Sequence, residues 1–294
     1  MRFVSFCHKY VSQVGIMLED GVIELNALLE TRFTSMLELI ENLSSDHLRE
    51  LSAAIARGKY NCLPLKEIKL LAPIPNPPRN VFCLGKNYIE HAQEIKMTQI
   101  SDTGIPDCPI YFSKIASPAI AHGDRIKFSP QVTQQVDYEV ELAVVIGKTG
   151  SNIEPEGAED YIFGYTIAND ISARDLQGVH KQWFKGKSLD TFCPMGPVLV
   201  HKSALPMPVE LDIQCRINGE LRQDSNTRQM IFDIPFIISD LSKGLTLHPG
   251  DIIMTGTPSG VGMGFEPPRL LADGDIVECY IEKIGKLVNQ VVAV

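Results

Sequence analysis

The apolar and polar positions of this chain fall into two textures. In residues 1–71, "VGIMLEDGVIEL" places apolar runs on either side of Glu19, Asp20 and Gly21, which predicts a hairpin. "MLELIENLSSDHLRELSAAIARG" repeats its apolar residues at helical spacing as far as a capping Gly58. From residue 72 onward, short β-rich runs alternate with Gly, Pro and Asn turns: "NVFCLG", "PIYFSK", "DRIKFS", "VELAVVIG", "YIFGYTIAND", "MGPVLVHK", "GDIIMTGTP" and "DIVECYIEKIGKLVNQVV". The Asn-Gly pair in "ELDIQCRINGELRQ" predicts a tight hairpin, and "NYIEHAQEIK" and "DIPFIISDLSKG" are the clearer helices. "APIPNPPRN", four prolines in nine residues, marks the boundary between the textures. The pattern predicts an α+β protein, predominantly β, with a small N-terminal α+β domain over 1–71 and a larger domain over 72–294.

One strand carries a puzzle. Val136 to Ile146 reads as a single central strand, and side chains two apart share a face, so Glu139 and Glu141 point the same way. Two adjacent acids belong either to a solvated strand face or, given the apolar run after them, to a buried pair neutralised by a cation. A hard divalent metal with oxygen ligands fits the second reading. Asp170 ends the run "IFGYTIAND" and is placed either to complete a three-carboxylate set or to cap the helix-like "ISARDLQ".

Composition narrows the function classes. At 294 residues, 44% hydrophobic and 21% charged, the chain is an ordinary globular protein, and its net charge of −9 argues against nucleic acid or an anionic membrane as partner. The N-terminus has no secretory apolar core and no run approaches transmembrane length, so a cytoplasmic location is expected. Seven scattered cysteines without a CxxC pair read as reduced thiols; neither Cys108 nor Cys193 has the signature of a nucleophile. "FKGKS" is not a phosphate loop, because Lys181 stands where the first glycine is needed, and "GVGMGF" has the wrong spacing for a dinucleotide loop.

Three further segments carry candidate chemistry. His91 and Glu94 are three apart on a predicted helix, either a surface pair or a dyad in which the carboxylate fixes the imidazole tautomer and leaves the second nitrogen as a base. Arg174 and Lys187 lie close in sequence to Asp170. "GDIIMTGTPSGVG" runs a strand into a loop whose N–H groups and hydroxyls suit an anionic ligand, unless it is a plain glycine turn.

Together "GKNYIEHAQE", "YFSK", "DYEVELAVVIGK", "GYTIANDISARDLQ", "GKSLDTFCPMGP" and "GDIIMTGTPSGVG" resemble, in order, the motifs of the fumarylacetoacetate hydrolase family, over residues 72–294. Within it the likeness is to the acylpyruvase and oxaloacetate decarboxylase group, and residues 1–71 look like the small leading domain of some bacterial members. The resemblance implies a mixed β-sandwich or roll and a homodimer. It also implies one Mg²⁺ or Mn²⁺ on Glu139, Glu141 and Asp170, with His91, Glu94 and Lys187 catalytic. Lys114, Arg174, Gln177 and Thr257 would bind the substrate, and a lid between Met97 and Pro106 would tune specificity. Ile115 departs from the proline that follows the lysine in many relatives. The implied activity is metal-dependent C–C cleavage of small 2-oxo acids through a pyruvate enolate; the alternatives are an isomerase or tautomerase, and a catalytically idle metabolite binder.

Overall fold

The computed structural model describes residues 1–94, 105–116 and 118–294. Among these, the strands form a ten-stranded sheet, a five-stranded sheet and a two-stranded ladder. The large sheet runs, in spatial order, Gly21–Glu24, Val11–Leu18, Arg2–His8, Met195–His201, Ile162–Asn169, Val140–Ile146, Ile252–Met254, Val81–Gly85 and Ile110–Lys114, with Lys69–Leu71 also paired to Arg2–His8. The five-stranded sheet joins Glu220–Asn226, Asp212–Ile217, Ile276–Ile281, Gly285–Ala293 and Arg125–Phe128. Helices are short and few, so the class is α+β with β dominant.

Every residue of Val140–Ile146 is buried. Its faces divide cleanly: Val140, Leu142, Val144 and Ile146 enter one core, Ala143 and Val145 the other. A strand covered on both sides reads as a continuous apolar run rather than an alternating one, which is the pattern of the sequence here. At roughly 1.5–3 kcal/mol for each large aliphatic side chain buried, this strand is a firm platform for the acids at its start.

Local chemistry altered two of the expected elements. The single helix expected over 36–58 is two, Met36–Asn42 and Ser45–Arg57. Ser44 stops the first turn from continuing: its hydroxyl accepts from the N–H of His47 at 3.2 Å, while His47 Nδ1 accepts from the N–H of Ser44. Gly58 does end the second helix at φ 66°. The strand expected over 136–146 is broken after Asp137, because the N–H groups of Tyr138, Glu139 and Val140 are taken by the side chains of Asp137, Asn169 and Gln223 instead of a neighbouring strand. The Asn-Gly hairpin forms with φ of 52° at Asn218 and 83° at Gly219, the left-handed pair a tight two-residue turn requires.

Arg2–His8, which the pattern did not mark as a strand, pairs antiparallel with Met195–His201, so the two textures of the chain share one sheet. His201 sits at this seam, its ring edge-on to Phe3 and Phe163 at 6.4 and 5.3 Å between centroids. Burial, then the N-terminal ammonium and Lys202, lower its pKa to about 4. In the unfolded chain an ordinary histidine takes its proton near pH 6.5, so the stability from keeping His201 neutral is present above ~6.5 and lost as pH falls towards 4. We expect unfolding free energy to drop across that window by at most about 3 kcal/mol, and His201→Phe to flatten the decline in denaturant titrations at pH 7 and pH 4.5. An unchanged slope in the variant would refute this.

Candidate active site

The register of two strands assembles the acids. Val140–Ile146 and Ile162–Asn169 run antiparallel with Ala168 opposite Glu141 and Asn169 opposite Val140, which brings Asp170 opposite Glu139. The N–H of Asp170 donates to the Glu139 carbonyl at 2.8 Å. Directly opposed residues share a face, as do residues two apart, so Glu139, Glu141 and Asp170 converge on one side of the sheet. Each is buried, and a carboxylate oxygen from each lies within 4.8 Å of the others. Asp170 caps no helix; Arg174–Val179 begins at Ala173, which offers no side-chain cap.

Three buried cations crowd the same oxygens. Lys187 Nζ donates to Glu139 Oε2 at 2.7 Å and to Asp170 Oδ2 at 2.6 Å. Lys114 Nζ donates to Asp170 Oδ1 at 2.6 Å and to the carbonyl of Ile171 at 2.8 Å. Arg174 Nη2 lies 2.7 Å from Glu139 Oε1. Burial opposes the charge on Glu139, but Lys187 and Arg174 outweigh it and hold its carboxyl below the usual carboxylate range. Glu141 has no lysine or arginine within 4 Å among the described residues; it accepts from the N–H of Gly256 at 2.7 Å. Burial, then Asp170 and Glu139, drive its carboxyl well above the usual range. In this contact network four buried carboxylates, counting Asp137, meet three buried cations, and Glu141 is the carboxylate left without a cationic partner among the described residues. An oxygen-only donor set that includes such a carboxylate fits a hard divalent cation such as Mg²⁺ or Mn²⁺, and lacks the His or Cys that zinc favours.

Glu139 of the triad lines a cavity of about 260 Å³, enough for a small metabolite, and Glu141 and Asp170 lie buried beside it. It is lined by the polar His91, Glu139, Arg174, Gln177, Lys187 and Thr257, by the apolar Leu84, Phe112, Trp183 and Met263, and by Lys86 and Lys181. His91 and Glu94 share the helix Ile89–Glu94, with Nδ1 3.2 Å from Glu94 Oε2. Glu90, next to His91, points away and accepts from Ser259 Oγ at 3.0 Å. Lys114 is fully buried behind Asp170 and does not reach the cavity. Residues 95–104 of the expected lid lie outside the described residues.

The glycine loop proves more specific than an anion cradle. Its N–H groups are given to the protein's own carboxylates: Gly256 to Glu141, Gly260 to Glu94 at 3.0 Å, and Gly262 and Met263 to Asp137 at 2.7 and 3.0 Å. A side chain on Gly264 would overlap the Glu94 carboxylate. Thr257 donates to the Val140 carbonyl at 2.9 Å and accepts from Gln223, which also reaches the Pro258 carbonyl and the N–H of Val140. Sequence reasoning passed over Asp137 and Gln223. Asp137 had a signal, since it is the first of three acids at alternate positions in "DYEVE"; Gln223 had none, since it reaches the site only through sheet packing.

Residues 80–292 match the family model described as "Fumarylacetoacetate (FAA) hydrolase C-terminal". The chain belongs to the fumarylacetoacetate hydrolase family. An oxaloacetate tautomerase of Bacillus subtilis (strain 168) is 56% identical over 227 residues, 77% of this chain and 74% of that protein. Among solved structures of the family, a fumarylacetoacetate hydrolase from Exiguobacterium antarcticum superposes with a TM-score of 0.85 at 39% identity, over 100% of both chains. A maleylpyruvate hydrolase from Sphingobium sp. SYK-6, in complex with manganese(II) and pyruvate, does so at 0.79 and 30%, over 100% of this chain and 99% of that one. Among the described residues no helix is long and apolar enough to cross a membrane.

Proposed function

We propose that this protein is a divalent-metal-dependent enzyme that interconverts the enol and keto forms of a small 2-oxo dicarboxylate of the oxaloacetate type. The observation that carries the reading is one small cavity lined by Glu139, Lys187 and His91, with Glu141 and Asp170 clustered on Glu139 and Glu94 held against His91 Nδ1. A divalent ion held by Glu139, Glu141 and Asp170 would supply Lewis acidity towards the keto oxygen of the bound acid. It would also add positive charge beside Arg174, Lys187 and Lys86 at the cavity, which favours an anionic ligand. Arg174 and Gln177 bind the carboxylate next to the keto group, and Thr257 closes that end. Glu94 accepts from His91 Nδ1–H, which leaves Nε2 as the base that takes a proton from the carbon beside the ketone and returns it in the reverse direction. Lys187 faces the oxygen on which the enolate charge collects and passes it a proton. Lys114 acts through Asp170 rather than by touching the substrate.

The sequence alone put C–C cleavage first and tautomerisation second. The Bacillus relative supports the opposite order, because tautomerisation needs the same enolate but breaks no carbon–carbon bond. Cleavage remains a second reading on one observation: the maleylpyruvate hydrolase that superposes on this chain was solved with manganese and pyruvate. There the His91 base would deliver water to a distal carbonyl. Mixing enol-oxaloacetate with the Mn²⁺-loaded protein and following enol absorbance alongside pyruvate distinguishes the two. We expect fast loss of enol without pyruvate, abolished by EDTA; pyruvate release from oxaloacetate, acetylpyruvate or fumarylpyruvate would select cleavage. No turnover with tight 2-oxo acid binding would select the idle binder. A cytoplasmic location, a homodimer and a distinct unit over residues 1–71 belong to the same proposal; light scattering tests the dimer.

A further inference from the structure

Asp137 lies two residues before Glu139 and is fully buried. Its Oδ1 accepts from the N–H groups of Gly262 at 2.7 Å and Tyr138 at 2.9 Å; its Oδ2 accepts from the N–H of Met263 at 3.0 Å and from Arg174 Nε at 2.9 Å. Four donors occupy the lone-pair directions of one carboxylate, so none remains for an ion or a substrate. Asp137 therefore contributes to the cavity by what it holds. It ties the guanidinium on one wall to the glycine loop on the other, and that loop grips Glu94 through Gly260.

We propose that Asp137 is a positioning residue, which keeps Arg174 turned towards the carboxylate end of the cavity and, through residues 260–264, seats Glu94 against His91. This rests on the roles given above to Arg174 and the dyad. The remaining partners of Arg174 show why a second anchor matters. Nη2 leans on Glu139 Oε1, an oxygen of the triad for which any bound cation competes. Nη1 donates to Gln177 Oε1 at 3.1 Å, a neutral acceptor. Among the described residues, Asp137 is the anionic partner of Arg174 that lies outside the triad, so it alone keeps its grip whether or not the triad is loaded. Hydrogen bonds between two charged groups are the stronger kind, and because the guanidinium is planar and rigid, a bond held at Nε constrains the whole group.

Asp137→Asn tests this, since it preserves shape but turns an acceptor into a donor that faces backbone N–H groups. With Mn²⁺ present, oxalate is the probe: a planar dianion with the outline of a 2-oxo acid enolate. We expect oxalate affinity to fall roughly 10- to 50-fold while the Mn²⁺ dissociation constant moves less than threefold. We expect the loss in the Asp137→Asn, Arg174→Lys double variant to match that of the larger single variant. Additive losses, or Mn²⁺ affinity falling in step with oxalate, would overturn the proposal and make Asp137 a structural residue only. Should the asparagine form not fold, Asp137→Ser is read by the same titrations. The wild-type protein gives an independent reading: the Arg174 Nε–H proton resonance must remain protected from solvent exchange with Mg²⁺ bound, and its rapid exchange would refute the anchor. A wild type that binds no oxalate contradicts the function proposed for the pocket, and the Nε–H measurement then decides on Asp137 alone.

Discussion

Lys187→Met is expected to lower turnover by roughly 10²–10³-fold while tightening Mn²⁺ binding. The two effects have opposite signs because one ammonium has two tasks. It neutralises Glu139 Oε2 and Asp170 Oδ2, both candidate ligand oxygens, so it competes with an incoming cation. It also lines the cavity where the enolate charge would collect. Burial works against the ammonium, yet Asp170 and Glu139 raise its pKa, so the charge is held by the acids. Removing one partner of a buried ion pair costs about 3–5 kcal/mol, so the metal-free variant should melt well below wild type. Mn²⁺ should then restore more melting temperature in the variant than in the parent. Thermal scans with and without Mn²⁺, set beside turnover, check all three statements; equal Mn²⁺-induced shifts would remove Lys187 from the triad's charge balance.

His91→Ala should lower kcat by about 10²–10³-fold with Mn²⁺ affinity unchanged, the usual cost of losing a general base. The imidazole is 4% exposed, lines the cavity, and has Nδ1 beside Glu94, while the triad's contacts run through Lys187, Lys114 and Arg174 instead. Glu94→Gln should give a smaller loss, because the amide oxygen still accepts from Nδ1–H but carries no charge. Steady-state kinetics on both variants, with Mn²⁺ titrated separately, check the ranking. A His91→Ala enzyme with wild-type kcat would move the proton transfer to another residue.

How much of this was written in the residues depends on the range of the interaction. The acids of "DYEVELAVV" were legible because strand parity is local: Glu139 and Glu141 share a face whatever the rest of the chain does. The His91–Glu94 pair was legible for the same reason on a helix. Asp170 was ambiguous until the register with Val140–Ile146 placed it opposite Glu139, since register is a property of two segments. The break after Asp137 was invisible, because it depends on Asn169 and Gln223 arriving from distant parts of the chain to take backbone donors. The glycine loop was read as N–H groups for an anionic ligand, whereas those of Gly256, Gly260 and Gly262 go to the protein's own Glu141, Glu94 and Asp137, and that pairing is tertiary information. The strand Arg2–His8 was missed because nothing in "RFVSFCH" alone separates an edge segment from one that continues a sheet built 190 residues later.

The claim beneath these expectations is that three carboxylates on one sheet face hold a divalent ion. Isothermal titration of Mn²⁺ into wild-type protein and Glu141→Gln tests it without any assumption about substrate. One ion per chain in the wild type, with affinity reduced about a hundredfold or more in the variant, is the predicted result. Equal Mn²⁺ binding by the two proteins, or none by either, would contradict it.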